Sequence, residues 1–501
     1  MRRFRMSVVG VLAFVAILMA FPFQALAGNP EYLIPLDHPF AAFLESRAVA
    51  AKMGASAEFR KMEGVAVDPV NNKLYIAMTE INKSMADQEG DIQLPQNNCG
   101  IVYVADLDQN YNINALVPAV VGGPENTEDK ANPCHVDAIA NPDGLYVDGK
   151  GNLWIAEDSE KGHKNNVLWM WDGKTLQRFA TVPVGAEVTG LHITADGTIF
   201  FNVQHPSAMN SYPYNRGVVG VVNGYKAGEP FTPLPVPTGD DMHVVKVAAG
   251  EYQVLARVGE LIPQDVRGHR FGQVYRPDGS LQLVCNNPDG NMFLPVNASG
   301  SEGYLYTNYE CQAGAVVKLY LRRTGNAWEV VEGENVEFKS VHGTWNNCNA
   351  SVTPWNTGLT SEEYEPVALK DGWKENVAPM SDYLGRQANP YDYGWSVELM
   401  PDKTGASAQT LVAKRYAMGR RSWEMGKVMP DGKTVYMGDD GSNVVLFKFV
   451  ADNAGDLSAG SLFAAKVTQQ PDQSLALEWI LLGSANEADI YDAIRSIELP
   501  M

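Results

Sequence analysis

The strongest order in this chain is a recurring alternation of apolar and polar positions. A polar or acidic residue opens a short alternating run. A Gly/Asp/Asn turn follows, and a second apolar run ends in another polar cluster. The sharpest copy is Asp143-Gly-Leu-Tyr-Val-Asp, a turn at 149–151, then Asn152-Leu-Trp-Ile-Ala-Glu-Asp158. Other copies open at Glu63, Glu187, Asn291, Asn347-Cys348 and Glu424, and close at Glu80, Gln204, Glu310, Glu363 and Asp440. Period-two alternation over so few residues, bounded by turn formers, predicts pairs of antiparallel strands. Further strand-like runs lie at 102–107, 167–171, 316–321 and 444–450. Such a repeat predicts an all-β fold, a six-bladed β-propeller with peripheral helices and insertions. In that ring the residues that open the copies converge on one axis.

Other segments depart from the repeat. Residues 39–57 read as one amphipathic helix outside the ring, and 485–494 as a short C-terminal helix. Residues 207–245 and 364–390 read as insertions in a single domain, 28–501. Residues 1–27 combine Arg2, Arg3 and Arg5, an apolar run to Phe23, and Ala25-Leu26-Ala27. This is the form of a signal peptide, which places the mature protein in the periplasm or outside the cell. The apolar run is short for a membrane span.

Charge narrows the partners. The 501 residues carry 39 Lys+Arg against 59 Asp+Glu, a net charge of −20. This argues against nucleic acid and anionic membrane surfaces. It suits a soluble protein with a carboxylate-rich site for hard cations. The five cysteines suit an oxidising compartment. Cys99 and Cys134 flank a turn-rich insert, and Cys285 and Cys311 a hairpin. Two disulfides among these four are expected, with the pairing open. Cys348 is left over, either an inert buried thiol or a metal ligand or nucleophile. No Cys-x-x-Cys or close His pair accompanies it, so the pattern is not that of zinc. Glu362 and Glu363 follow fourteen and fifteen positions on. One thiolate among carboxylates suits a ferric ion beside calcium.

The stretch Asn347-Cys348, Thr353-Pro354-Trp355, Thr357, Leu359-Thr360 and Glu362-Glu363 aligns without a gap with a motif of the PhoX family of secreted alkaline phosphatases. The chain resembles that family elsewhere too: Asn141-Pro-Asp-Gly-Leu145, Gly185-Ala-Glu-Val-Thr-Gly190, Val203-Gln-His-Pro206, Asn308-Tyr-Glu310, Tyr393-Gly-Trp395, Met418-Gly-Arg420 to Glu424, and Val435 to Asp440. Asn349, Ala350, Ser351, Asn356, Gly358 and Ser361 depart from its pattern. The Cys348 segment follows, rather than precedes, the segments around Lys61 to Pro206. A closed ring can absorb that circular permutation.

The resemblance implies hydrolysis of phosphate monoesters at a cluster of ferric (Fe3+) and calcium (Ca2+) ions. A monomer acting on small phosphorylated substrates is the expectation for partners. It places iron on Cys348, Glu63 and Glu424. It places calcium on Glu362 or Glu363, Asp143, Asp439, Asp440 and Glu187. Cys348, Glu63, Glu424 and Lys61 carry the chemistry in this reading. Lys61 stands where the family has a phosphate-gripping Arg, and a point charge is not equivalent to a planar fork. Arg60 is the alternative cation, and Asn347 the holder of a further phosphate oxygen. A calcium-dependent phosphodiesterase or lactonase, and a non-catalytic calcium-binding propeller, are the rival readings. Cys348 weighs against both, because calcium prefers oxygen ligands.

Overall fold

A computed structural model describes residues 31–158, 161–402, 405 and 408–500. The expected signal peptide lies outside them. No helix among the described residues is long and apolar enough to cross a membrane.

The alternating segments are strands, and the fold is all-β. Pro142–Val147, Leu153–Glu157, Val167–Trp171 and Leu176–Thr181 form successive antiparallel neighbours in one sheet. Glu187–Ile193, Ile199–Gln204, Val218–Asn223 and Glu251–Arg257 form another. Pro288–Pro295 leads a third and Asn347–Val352 a fourth. Gln273–Tyr275 and Leu281–Val284 form a hairpin of their own, and the remaining strands close on themselves. Phe59–Asp68 pairs with Lys73–Met78 on one side and with Thr434–Val444 on the other. Leu475–Asn486 pairs with Ala115–Val121 and so completes an eight-stranded ring, while Trp423–Val428 pairs with Thr434–Val444 as a ninth strand. The two ends of the chain are thereby stitched together by backbone hydrogen bonds.

The leading strands also touch in succession. Phe59–Asp68 lies against Pro142–Val147, which lies against Glu187–Ile193. The series continues through Pro288–Pro295, Asn347–Val352 and Trp423–Val428, and returns to Phe59–Asp68. Their approach is too close for side chains. A Cβ on Gly64 would lie 2.3 Å from the Asp143 carbonyl oxygen, and one on Gly290 2.6 Å from the Ala350 Cβ. Apolar residues fill the wedges between sheets. Trp154, for example, meets Phe179 edge-on at 4.9 Å among Val188 and Phe201. Each such fully buried large side chain stabilises the fold by about 1.5–3 kcal/mol.

Several expectations need correction. Residues 39–57 are not one helix but two, Ala41–Leu44 and Ser46–Lys52, with the break at Glu45. There the buried Glu45 carboxylate turns inward to accept a 2.6 Å hydrogen bond from the Tyr391 hydroxyl. Residues 207–245 are not wholly an insertion, since Val218–Asn223 is an integral strand. The C-terminal helix runs Glu487–Ser496, capped by the Asn486 side chain accepting from the Asp489 N–H at 2.9 Å. Disulfides join Cys99 to Cys134 and Cys285 to Cys311, and Cys348 is free and buried.

Candidate functional site

One backbone irregularity recurs where the leading strands begin. The ladder skips between Met62 and Val65, Pro142 and Leu145, Pro288 and Asn291, Asn347 and Ala350, and Trp423 and Gly426. Bulges of this kind re-aim side chains. The residues they release are Glu63, Asp143, Asp289, Cys348 and Glu424. Each second strand runs antiparallel to its leader, so its end returns to the same mouth. That return delivers Asp158, His205, Glu310, Glu363 and Asp440.

The side chains form overlapping triads. Asp289, Glu310 and Cys348 make one, Cys348, Glu363 and Glu424 a second, and Glu63, Asp143 and Glu424 a third. Within each, candidate ligand atoms lie within 4.8 Å of one another. Cys348 Sγ is 3.2 Å from Asp289 Oδ2 and 3.4 Å from Glu424 Oε2. Outer residues orient the carboxylates. Thr79 Oγ1 donates to Glu63 at 3.0 Å, Gln204 Nε2 to Glu310 at 2.7 Å, and Asn346 Nδ2 to Glu310 at 3.1 Å. Tyr364 donates its hydroxyl to Asp440 at 2.5 Å. The Cys285–Cys311 bond ties the approach to Asp289 to the residue after Glu310.

The cluster is electrostatically unfavourable as it stands. Burial, reinforced by neighbouring carboxylates, pushes Glu63 and Glu187 up to about 7. The same causes push Asp143, Asp289, Glu363 and Glu424 well above the carboxylate range. The Cys348 thiol is likewise driven well up by burial and by Asp289, Glu363 and Glu424. Two cations offset this. Lys61 Nζ lies 3.0 Å from both Glu63 and Asp158, reached from a left-handed backbone position with φ at 45°. Despite burial, Lys61 holds Asp158 and Asp440 below their ordinary values. His205 lies 3.0 Å from Glu187, which outweighs burial and raises the imidazole to about 9.

Buried like charges need compensating cations. The donor set of one thiol and several carboxylates fits hard cations beside one thiophilic transition metal. Asp143 Oδ1 is buried with no hydrogen-bond partner, as a waiting ligand atom would be.

Some expected site residues face elsewhere. Glu362 is held by Lys414 at 2.8 Å and accepts from the Gly394 and Trp395 N–H groups at 2.9 and 3.0 Å. Asp439 is gripped by the Arg47 fork. Asn347 donates to Thr360 Oγ1 at 2.9 Å, and Arg60 reaches Glu80 at 3.0 Å and the Gly441 carbonyl. Asn291, expected to point at the axis, instead bonds Gly190, Asn202 and Thr307. The acid in that copy is Asp289, two residues earlier. The signal for it was present, because Asn-Pro-Asp-Gly occurs at both 141–144 and 287–290.

A family model described as alkaline phosphatase PhoX matches residues 38–207 and 315–497. No curated protein matches the chain. Among solved structures, PhoX from Pseudomonas fluorescens in complex with vanadate, a transition state analogue, is similar at 19% identity with a TM-score of 0.35. That match covers 46% of this chain and 54% of that one, about half its length. A gluconolactonase from Xanthomonas campestris is similar at 10% identity and a TM-score of 0.38, over 83% of this chain and 92% of that one. Virginiamycin B lyase from Staphylococcus aureus is similar at 9% identity and a TM-score of 0.36, over 85% and 96%.

Proposed function

This chain belongs to the alkaline phosphatase PhoX family, and we propose that it is an exported enzyme hydrolysing phosphate monoesters at an iron- and calcium-holding mouth of a six-bladed β-propeller. The architecture is supported by leading strands that contact one another in a closed succession. Export is supported by the Cys99–Cys134 and Cys285–Cys311 disulfides. In a closed ring the order of segments along the chain does not alter the site, so the permuted order is compatible with the family's chemistry.

The observation that carries the reading is the set of overlapping triads sharing Cys348 and Glu424. Iron is assigned to Cys348, Glu63 and Glu424, with Asp289 as a further ligand. Calcium is assigned to Glu363, Asp143, Asp440 and Glu187, with Asp158 and Glu310 beside them. When bound, these ions neutralise the carboxylates and supply the Lewis acidity that polarises a phosphoryl group. The chain's own residues bind and orient the ester. Lys61, at the edge of the cluster, presents its ammonium to a phosphate oxygen. His205, 3.0 Å from Glu187, adds a second basic group at the rim. Asn346, already a donor to Glu310 and Glu363, fixes the carboxylates on the approach side. Glu362, Asp439, Asn347 and Arg60 support the fold around the site in this reading.

Metal analysis of protein purified without chelator, alongside hydrolysis of an aryl phosphate monoester and the matching diester, tests this. Iron with calcium, a visible thiolate charge-transfer band that Cys348→Ser bleaches, and preference for the monoester are expected. A colourless, iron-free and fully active protein overturns the iron assignment. Preference for the diester overturns the substrate class.

A further inference from the structure

The leading strands begin at the acidic mouth and end beside a cavity of about 490 Å³. Its wall includes Tyr146, His192, Phe293, Val352 and Lys427. Lys427 follows Glu424 by three residues and His192 follows Glu187 by five. At a rise of about 3.3 Å per residue, the cavity lies about 10–16 Å along the axis from the acid cluster.

Lys427 is the anomaly there. Among the described residues no carboxylate pairs with it, and its contact is the Tyr146 ring, 5.6 Å from Nζ. Burial alone lowers its ammonium to about 8. His192 is only 6% exposed and meets Tyr146 edge-on at 5.4 Å. Its ring makes no hydrogen bond among the described residues, and burial with the nearby Lys427 keeps it neutral, down to about 3. The acid in the wall, Asp196, is committed to Lys226 at 2.7 Å and Arg323 at 2.6 Å. In a chain of net charge −20, a lysine sunk in a cavity wall without a counter-ion carries an unrelieved burial cost. Lys414, more deeply buried than the half-buried Lys427, has its Glu362.

We propose that this cavity is a second binding site, for a small organic monoanion: a carboxylate with a flat apolar body. Lys427 receives the carboxylate. Tyr146, Phe293 and Val352 enclose the body, and Thr194 and Thr353 border the opening. One free cation suits a monoanion better than a doubly charged phosphate. The volume falls in the range of small-molecule sites, about 300–1,000 Å³. The proposal does not depend on the reaction at the acidic mouth.

Calorimetric titration of the metal-loaded protein with benzoate tests it, with benzyl alcohol as the neutral analogue. Wild type and Glu424→Gln should bind benzoate alike. Lys427→Met should bind about ten- to a hundredfold more weakly, the worth of one charge-assisted hydrogen bond. Lys427→Arg should stay close to wild type, and benzyl alcohol should not bind detectably. Lys427→Met should melt no lower than wild type, because an unpaired charge is removed. If that variant does not fold, the contrast between benzoate and benzyl alcohol on wild type and Lys427→Arg decides. Equal binding by Lys427→Met, loss of binding in Glu424→Gln, displacement by equimolar inorganic phosphate, or no binding at millimolar benzoate overturns the proposal.

Discussion

Glu362 and Glu363 are adjacent, buried acids in opposite circumstances. Glu362 has an ammonium at 2.8 Å and three backbone N–H donors, from Trp345, Gly394 and Trp395. Glu363 faces Glu310, Asp440 and Glu63, and burial with these neighbours drives its carboxyl well up. Asp439 and Asp440 repeat the separation in place: the Arg47 fork takes the first, and the second stands at the mouth, where Lys61 and the Tyr364 hydroxyl offset its burial. A one-residue step along a strand reverses the face. The same residue type at the same depth therefore serves two purposes, and the partner identifies which. A carboxylate with its own cation holds sheets together. A carboxylate whose neighbours are carboxylates is, in the proposed reading, a metal ligand.

The sharpest way to break this comparison is Glu424→Gln. Glu424 is shared by two triads, so its loss should reduce turnover by about a thousandfold or more, the several kcal/mol that Lewis acidity supplies. The metal-free variant should melt no lower than metal-free wild type, because a repelled charge has gone. Near-normal turnover would place the reaction elsewhere.

Next comes Lys414→Met on the compensated side. Stranding the Glu362 charge should destabilise the fold by about 3–5 kcal/mol. Denaturant melts would read this, and adding Glu362→Gln should restore most of it. Specific activity of the folded fraction should remain within a few-fold of wild type. A large loss of turnover in the rescued double variant would return Glu362 to the metal site.

How far this division could be read in advance follows from its cause. Period-two alternation marked the strands, and the opening residues Glu63, Asp143, Glu187, Cys348 and Glu424 were visible because an acid or thiol preceded an apolar run. Asp289 was missed because Asn291 fitted the alternation better and the bulge skips between them. Glu362 and Glu363 could not be separated, since the choice depends on which side Lys414 occupies, 51 or more residues along the chain. Asp158, Glu310 and His205 stood in plain view at the ends of second strands. Only the antiparallel return of each hairpin to the mouth gives them a role.

Glu45 is the intermediate case and sharpens the rule. It has a hydroxyl partner in Tyr391, with Arg420 near, and burial still raises it to about 7 from 4.5. A folded-state value above the unfolded one means the protonated acid is the form the fold prefers. That contribution is fully present below about pH 4.5 and is lost as pH rises through about 7. Glu45→Gln should therefore be nearly neutral at pH 4.5 and stabilising by at most about 3 kcal/mol at pH 8. Denaturant titrations at both values would check it, and an equal effect at both would refute the titration.

The smallest effect expected is at Lys61, the counterpart of Lys414 inside the crowded mouth. Both lysines hold carboxylates at ion-pair distance, at 2.8 Å for Lys414 and 3.0 Å for Lys61. Lys414 has one acid to itself. Lys61 is shared by Glu63 and Asp158, whose charge the metals are expected to neutralise, which frees its ammonium for a phosphate oxygen. If that is its task, Lys61→Met should raise the Michaelis constant for a simple aryl phosphate about ten- to a hundredfold, the worth of one charge-assisted hydrogen bond. Its melting temperature with metals bound should move little. Lys61→Arg should match or lower the wild-type constant, because a fork grips phosphate at two points. A structural lysine would give the reverse pattern: a lower melting temperature in Lys61→Met, an unchanged Michaelis constant, and no benefit from arginine. Steady-state kinetics and melting curves on the two variants separate these outcomes, because only a phosphate-gripping cation ties the Michaelis constant to the shape of its donors.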